Sequence, residues 1–345
     1  MSESHTDTHI HMHRKKKKMK LFTAIEYGEF QRVKCIVEKY PKVHNFEDYN
    51  EWNPIDCAIL HGKLKIAQFL WEKGGRPSNG KYMLVHSVAE RRGCTPATLK
   101  WAFEKEEVLS LDVLKIQDRR GWTPLDVAIA HGNLEMAQFL WEKCDKQHPN
   151  PQIFRGGGGN WTPMHGAAEH GCDPAILTWV FAEHVFPLNI LKIKDRRGRT
   201  PFDQAIVSGH PNIAQCILEK GARPNVEEEY CHEGKVTPVH CAASYGFTAT
   251  LKWLFITEKV LPLRVLAIKD KRGRTPLENA EFRKQEETAK LLRILTRGIS
   301  VEETFLIIQL AKRDHRCVLR RLPDELLNKI VDQVAAHFDL VVVWS

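Results

Sequence analysis

Prolines at a nearly constant spacing constrain the fold of this chain more than any other feature. Five threonine-proline pairs place successive prolines 39, 38, 37 and 38 residues apart, at Thr123-Pro124, Thr162-Pro163, Thr200-Pro201, Thr237-Pro238 and Thr275-Pro276. Asn53-Pro54 precedes this series by 70 residues, and the Met-Leu-Val-His segment at 83–86 supplies the missing step. Such a period is typical of repeat arrays, in which each repeat packs only on its neighbours.

Each repeat has the sequence features of two short helices. The threonine side chain can accept a hydrogen bond from a backbone amide at the start of a helix. Proline at the next position has no amide hydrogen, so it leaves no donor unsatisfied there. Some residues later, a glycine can adopt the left-handed conformation that ends the first helix. These glycines are Gly28, Gly62, Gly93, Gly132, Gly171, Gly209 and Gly246. Because such short helices are unstable alone, we expect neighbouring repeats to bury one another's apolar faces.

Several motifs of this repeat resemble the ankyrin family. The matching segments are Thr162–Gly171 (TPMHGAAEHG), Thr237–Ala243 (TPVHCAA) and Asp270–Leu277 (DKRGRTPL). The resemblance implies an all-α ankyrin-repeat solenoid of about eight helix pairs over residues 19–297. The segments outside it are a basic tail at 1–18, which we expect to be disordered, and a short C-terminal helical segment at 298–345.

The repeats alternate between two types. Acidic repeats have a carboxylate three residues after the capping position, at Asp56, Asp126, Asp203 and Glu278, whereas histidine repeats have His86, His165 and His240 there. The ankyrin resemblance implies that these imidazoles bind neighbouring backbone and hold repeats together. Histidine repeats also contain an insertion such as 183–193, whose Leu188, Ile190, Leu191 and Ile193 are predicted to pack over the helix ends.

Tryptophans recur at two places in the repeat. Those of the second helix are predicted to fill the core, and they are Trp71, Trp101, Trp141, Trp179 and Trp253. Those before the Thr-Pro or Asn-Pro pair are Trp52, Trp122 and Trp161, with Arg199 and Arg274 at the same place in later repeats. Since Trp and Arg are favoured binding anchors, these side chains are candidate contacts on the concave face. The alternative is that each tryptophan packs on the adjacent hairpin.

Basic pairs precede the same position. Arg119-Arg120, Arg196-Arg197 and Lys271-Arg272 would place positive charge along the edge of the hairpin tips and suit an acidic partner. The alternative is ordinary solvated surface charge, because such turns are commonly basic in the ankyrin family.

The C-terminal segment contains the motif Leu-Pro-Asp-Glu-Leu-Leu, which resembles the start of an F-box. The residues that carry the resemblance are Leu322, Pro323, Glu325, Leu326 and Ile330. An F-box would dock on the adaptor of a cullin-type ubiquitin ligase, which would make the chain a substrate receptor. Alternatively, the segment is a helical cap on the last repeat, because proline and acidic residues are also common at helix starts.

Composition narrows the remaining function classes. Much of the net charge of +8 lies in Arg14–Lys18, a basic run that resembles a nuclear-import signal. Because the rest of the chain is close to neutral, the repeats are not expected to bind specific nucleic acid. Nine scattered cysteines without a CxxC motif indicate a reducing cytoplasmic or nuclear setting. No motif for catalysis, a cofactor or a zinc finger occurs, and the apolar runs are too short for a membrane span. We therefore expect a monomeric, non-enzymatic adaptor that has no cofactor or metal and binds protein partners.

Overall fold

The computed structural model describes residues 19–297, apart from 42, 44–45, 48–51, 78–80, 92–94, 106–107, 149–159 and 223–235. The described residues form sixteen α-helices in eight consecutive pairs and contain no β-strand. The predicted all-α ankyrin-repeat solenoid of about eight helix pairs is thus confirmed. The chain divides into two compact regions, Met1–Asp195 and Arg196–Ser345.

The first helices of the pairs are α1 (19–27), α3 (Pro54–Leu60), α5 (Lys81–Glu90), α7 (Pro124–His131), α9 (Pro163–His170), α11 (Pro201–Val207), α13 (Pro238–Tyr245) and α15 (Pro276–Phe282). The second helices are α2 (Phe30–Lys39), α4 (Leu64–Glu72), α6 (Ala97–Glu104), α8 (Leu134–Lys143), α10 (Pro174–Ala182), α12 (Pro211–Glu219), α14 (Thr248–Lys252) and α16 (286–297). Helix α14 continues as a π-helical turn over Trp253–Thr257.

Reciprocal hydrogen bonds start the first helices, as the Thr-Pro pairs predict. At α7, the Thr123 Oγ1 accepts from the Asp126 amide while an Asp126 carboxylate oxygen accepts from the Thr123 amide. Thr162, Thr200, Thr237 and Thr275 form the same arrangement, and Asn53 forms it with Asp56. In the histidine repeats that start at Thr162 and Thr237, the imidazole Nδ1 takes the place of the carboxylate. Each such cap stabilises its helix by about 1 kcal/mol.

Glycine ends the first helices at a left-handed conformation. Gly132 caps α7 with φ of 76°, which residues with a side chain rarely adopt. A Cβ at this position would also lie only 2.5 Å from the Cys172 Sγ. Conformation and packing therefore both favour glycine at Gly132, whereas at Gly62 only the left-handed conformation does.

Burial of the first helices supplies much of the core of each compact region. In the first region, α7 contacts α5, α8 and α9, and all eight of its residues are buried. Burying an aliphatic side chain such as Leu125 or Ile129 contributes about 1.5–3 kcal/mol relative to exposure. In the second region, α13 has the same position between α11 and α15 and also contacts α14.

The insertions of the histidine repeats fold into short 3₁₀ helices at Leu111–Lys115, Leu188–Lys192 and Leu263–Ala267. Their buried residues are Val113 and Leu114, Ile190 and Leu191, and Val265 and Leu266. Packing of Ile190 and Leu191 was expected, but Leu188 is 55% exposed and Ile193 is half-buried. The prediction for Leu188 was wrong because a 3₁₀ turn directs only two of its residues inward.

The second-helix tryptophans are less uniform than the sequence predicts. Trp141 and Trp253 are buried, at 6% and 8% exposure, but Trp71, Trp101 and Trp179 keep part of their surface exposed. The Trp71 and Trp101 rings meet edge to face at 6.5 Å on neighbouring helices. The prediction of five core tryptophans was therefore wrong for these three, which lie at the edge of the helix packing.

Within the described residues, no helix combines the length and apolar character that crossing a membrane requires.

Candidate partner-binding site

The hairpin turns before the Thr-Pro pairs have one backbone design in both compact regions. In turn 118–122, the Asp118 Oδ1 accepts hydrogen bonds from the amides of Arg120, at 2.8 Å, and Trp122, at 2.9 Å. In turn 270–274, the Asp270 Oδ1 accepts from the corresponding amides, again at 2.8 and 2.9 Å. In each turn the aspartate amide also donates to the carbonyl four residues later. The carboxylate therefore lies inside the turn and fixes its shape.

Hydrogen bonding keeps the inner carboxylate of turn 270–274 ionised. Burial alone would raise the pKa of Asp270, but the Arg274 amide, the Asn279 side chain and the Arg272 amide all donate to it and lower its pKa overall. A carboxylate that accepts several hydrogen bonds is stable in its charged form. Its charge is thus used within the turn and is not presented on the tip.

The basic pairs of these turns, unlike the inner aspartates, are exposed to solvent. Arg119, Arg120, Arg196, Arg197, Lys271 and Arg272 are all exposed. The Arg120 side chain is 50% exposed, and its guanidinium lies 4.9 Å from the ring centre of Trp122 and 3.8 Å from an Asp118 oxygen. Because the aspartate accepts backbone amides inside the turn while the basic side chains are exposed, turns 118–122 and 270–274 present positive charge.

Trp122 is not an accessible anchor, which corrects the expectation from the sequence. Its side chain is only 1% exposed, and its indole Nε1 donates to the Trp161 carbonyl at 3.1 Å. The indole packs against Gly166 of the following repeat, where a Cβ would lie 3.3 Å from the Trp122 ring. The structure therefore agrees with the alternative, in which the tryptophan packs on the adjacent hairpin.

The other anchor candidates keep some surface. Trp52 and Trp161 are half-buried, and the Trp161 ring lies 5.2 Å from the His165 ring. Arg199 is half-buried as well. Arg274 is 23% exposed and lies 4.5 Å from the Phe282 ring centre and 3.8 Å from an Asp270 oxygen, so it contributes to its own repeat.

The predicted role of the repeat histidines is confirmed at two positions. The His86 Nε2 lies 3.0 Å from the Trp122 carbonyl, and the His240 Nε2 lies 3.1 Å from the Arg274 carbonyl. Each bond joins a first helix to the turn of the next repeat. At His240, Nδ1 accepts from the Thr237 amide, so the proton of the neutral ring is on Nε2. Burial lowers the pKa of His240 and favours this neutral form.

One cluster of potential metal ligands was not predicted from the sequence. Glu26 of α1, Cys57 of α3 and His61, which follows α3, have potential ligand atoms within 4.8 Å of one another. The Cys57 Sγ lies 3.9 Å from the His61 Nδ1. Burial, Arg91 and Lys63 lower the pKa of His61 to about 4. Cys57 and His61 lie one helical turn apart, so this pair could have been predicted from the sequence. Glu26 could not, because it belongs to another repeat.

Family comparison agrees with the geometry. The model described as ankyrin repeats (many copies) matches residues 85–140, and the model described as ankyrin repeat matches residues 197–226. This chain contains ankyrin repeats. The first match spans α5 to α8 and includes turn 118–122, and the second spans α11 and α12.

Three curated relatives align with parts of the chain. NF-kappa-B inhibitor delta of Mus musculus is 32% identical over 90 residues, covering 26% of this chain and 25% of that protein. NF-kappa-B inhibitor alpha of Sus scrofa is 31% identical over 122 residues, covering 34% and 36%. Alpha-latrotoxin-Lg1a of Latrodectus geometricus is 29% identical over 119 residues, covering 34% and 8%. The chain thus spans 36% or less of the length of these relatives.

The F-box-like residues Leu322, Pro323, Glu325, Leu326 and Ile330 lie outside the described residues. The two ankyrin matches also end before residue 298.

Proposed function

We propose that this chain is a protein-interaction scaffold or adaptor that binds an acidic partner through its ankyrin hairpin tips and has no catalytic role. The observation that carries the proposal is that the turns keep a negative charge inside and expose positive charges. In turns 118–122 and 270–274, the aspartate is used inside by backbone amides while two basic side chains remain exposed. Exposed Arg196 and Arg197 add a third basic pair.

Electrostatics favours a partner with several acidic groups close together. One exposed ion pair contributes about 0–1 kcal/mol, so a single basic side chain would hold a partner weakly. Within the second compact region, the pairs at 196–197 and 271–272 could act together on one acidic segment, and this charge would also raise the association rate at low salt. We therefore expect binding to weaken markedly as ionic strength rises.

The relatives support a protein partner in general terms. Two of them are named as inhibitors of NF-kappa-B. The proposal does not extend that partner to this chain, because each alignment covers only about a quarter to a third of the relative. The partner is instead defined by charge and by its contact with the tips.

The decisive experiment compares two full-length variants with the same loss of charge. The tip variant changes Arg119, Arg196 and Lys271 to Ser, because these exposed side chains have the same place in three turns. The control variant changes Lys65, Lys100 and Lys252 to Ser, which are exposed on second helices. Quantitative affinity purification and binding measurements with the partners obtained would use both variants and the wild-type chain.

We expect the tip variant to lose its acidic partner by at least about tenfold in affinity, the equivalent of about 1.4 kcal/mol. The control variant should bind like the wild-type chain. Equal loss in both variants would indicate attraction by net charge alone. Unchanged binding in the tip variant, with both proteins folded, would place the binding surface elsewhere.

A second candidate function rests on the F-box-like motif. The Leu-Pro-Asp-Glu-Leu-Leu sequence at 322–327 supports a substrate receptor of a cullin-type ubiquitin ligase, with the ankyrin repeats holding the target. Pull-down with the full chain and with a chain ending at Arg297 tests it. A cullin adaptor that is present only with the full chain would support the receptor. Its absence from both samples would leave the segment as a cap.

A further inference from the structure

We propose that Glu26, Cys57 and His61 form a zinc-binding site that joins the first ankyrin repeat to the second. The proposal is independent of the partner-binding surface. It uses a side chain from α1, one from α3 and one from the residue that follows α3, none of which lies in the hairpin turns described above.

The geometry is close to that of a zinc site. The ligand atoms of the three side chains all lie within 4.8 Å of one another, and the Cys57 Sγ is 3.9 Å from the His61 Nδ1. In a tetrahedral zinc site, sulfur and nitrogen ligands are about 3.5 Å apart, which follows from bond lengths of about 2.3 and 2.0 Å. The separation of the Cys57 Sγ and the His61 Nδ1 therefore exceeds the zinc-site value by about 0.4 Å.

The ligand types favour zinc over harder cations. A thiolate and an imidazole are ligands that zinc prefers, and a carboxylate commonly completes its coordination, whereas magnesium and calcium require mainly oxygen ligands. Three protein ligands leave a fourth position for water. Glu26 is exposed and His61 is half-buried, so the ion could enter from solvent.

The local charges permit a bound dication. Lys63 and Arg91 act on His61 electrostatically and would oppose an isolated cation. Zinc binding releases the Cys57 proton, which leaves the thiolate to balance one positive charge while the Glu26 carboxylate balances the other. The zinc complex is therefore neutral overall, and the neighbouring cations do not oppose it. The His61 imidazole enters the complex in its neutral form.

Its place in the array gives the site a structural role. The first repeat has no Thr-Pro pair, and the N-cap residue of α2, Glu29, makes no side-chain capping bond. The first described repeat therefore lacks the side-chain caps that start the helices of later repeats. A zinc ion held by α1 and α3 would tie this repeat to the next.

The test is a zinc titration of full-length protein against a chromophoric chelator. His5, His9, His11 and His13 are replaced with Ala in every sample, because this histidine-rich tail could bind zinc itself. We expect one zinc per chain and a rise in melting temperature on binding. Each of Cys57→Ser, His61→Asn and Glu26→Gln should weaken binding at least about tenfold, and Glu26 is exposed, so its variant will fold.

The repeats provide matched controls. Cys241 stands four residues after Thr237, as Cys57 stands after Asn53, but Tyr245 occupies the place of His61. His131 stands eight residues after Thr123, as His61 stands after Asn53, but Val127 occupies the place of Cys57. Cys241→Ser and His131→Asn should therefore bind zinc like the parent protein.

Cobalt gives an independent measurement of the thiolate. The cobalt-loaded parent should show a sulfur-to-metal charge-transfer band that Cys57→Ser removes and Cys241→Ser retains. The proposal is overturned if the parent takes up no zinc, if the control variants weaken binding as much as the ligand variants, or if the band survives in Cys57→Ser.

Discussion

The acidic repeat that starts at Thr123 and the histidine repeat that starts at Thr237 solve the same problem with different chemistry. Both need an acceptor for the amide of the capping threonine. Asp126 supplies a carboxylate oxygen at 2.8 Å, and its other oxygen meets the His148 Nε2 at 2.9 Å. His240 supplies Nδ1 at 3.2 Å, and its Nε2 meets the Arg274 carbonyl at 3.1 Å.

The difference shows how one side chain can start a helix and also reach another segment. Both residue types have two polar atoms, so one serves the cap and the other bonds outside the helix. Only the histidine can donate through the second atom, which makes it suitable for a backbone carbonyl. The turn of the next repeat is thus fixed through a backbone carbonyl, and its basic side chains stay exposed.

The largest expected effect concerns the tryptophans that precede the two types of repeat. Trp122, before the acidic repeat at Thr123, is fully buried, whereas Trp161, before the histidine repeat at Thr162, is half-buried. We expect Trp122→Ala to lower the free energy of unfolding by about 3–5 kcal/mol, because it leaves a cavity, and Trp161→Ala to cost less. Urea denaturation of both variants measures the difference. Equal costs would contradict the assignment of Trp122 to the core.

A smaller effect should separate the two acceptors at α13 and α15. We expect His240→Ala to cost about 1–3 kcal/mol, because it removes a buried side chain that bonds both the cap and the Arg274 carbonyl. Glu278→Ala removes an exposed acceptor and should cost below about 1 kcal/mol. Chemical denaturation is again the measurement, and a costlier Glu278→Ala would reverse the ranking.

The two acceptors should also respond to different pH ranges. Burial lowers the pKa of His240 in the folded chain. As the pH drops below about 6.5, the unfolded chain therefore binds a proton at this histidine more readily than the folded chain does, and the free energy of unfolding falls. The hydrogen bond from the Thr275 amide lowers the pKa of Glu278, so its contribution is complete above 4.5 and is lost only at lower pH. Between pH 7.5 and 5.0, wild-type protein should therefore lose more stability than His240→Gln. Equal losses would show that His240 does not contribute.

The smallest effect on stability is expected at the hairpin tips. The variant with Arg119, Arg196 and Lys271 changed to Ser should unfold within about 0.5 kcal/mol of the wild-type protein, because these side chains are exposed. Thermal and urea denaturation check this. A large loss would mean that the basic pairs stabilise the fold, which would weaken the argument for a binding role.

The helix pattern could be predicted from the sequence because it depends on local chemistry. Thr123 and Thr237 form the predicted caps, and Gly132 ends α7 in the predicted conformation. These features depend on residues within one turn of each other. A spacing rule therefore captures them without knowledge of the neighbouring repeats.

Burial and clustering between repeats could not be predicted in the same way. Trp122 is buried because Gly166 of the next repeat leaves room for its indole, and the sequence position of Trp122 does not encode that. Glu26 joins Cys57 and His61 only because α1 packs beside α3. The basic pairs at 119–120 and 271–272 were identified as candidates, and their use by a partner remains a prediction.

Hydrogen–deuterium exchange of the full chain, alone and with the partner obtained by affinity purification, tests the binding surface most directly. The account predicts slower exchange at turns 118–122 and 270–274 and around Arg196-Arg197 in the complex, with α8 and α12 unchanged. Slower exchange confined to α8, α12 or the other second helices, with the turns unchanged, would contradict it.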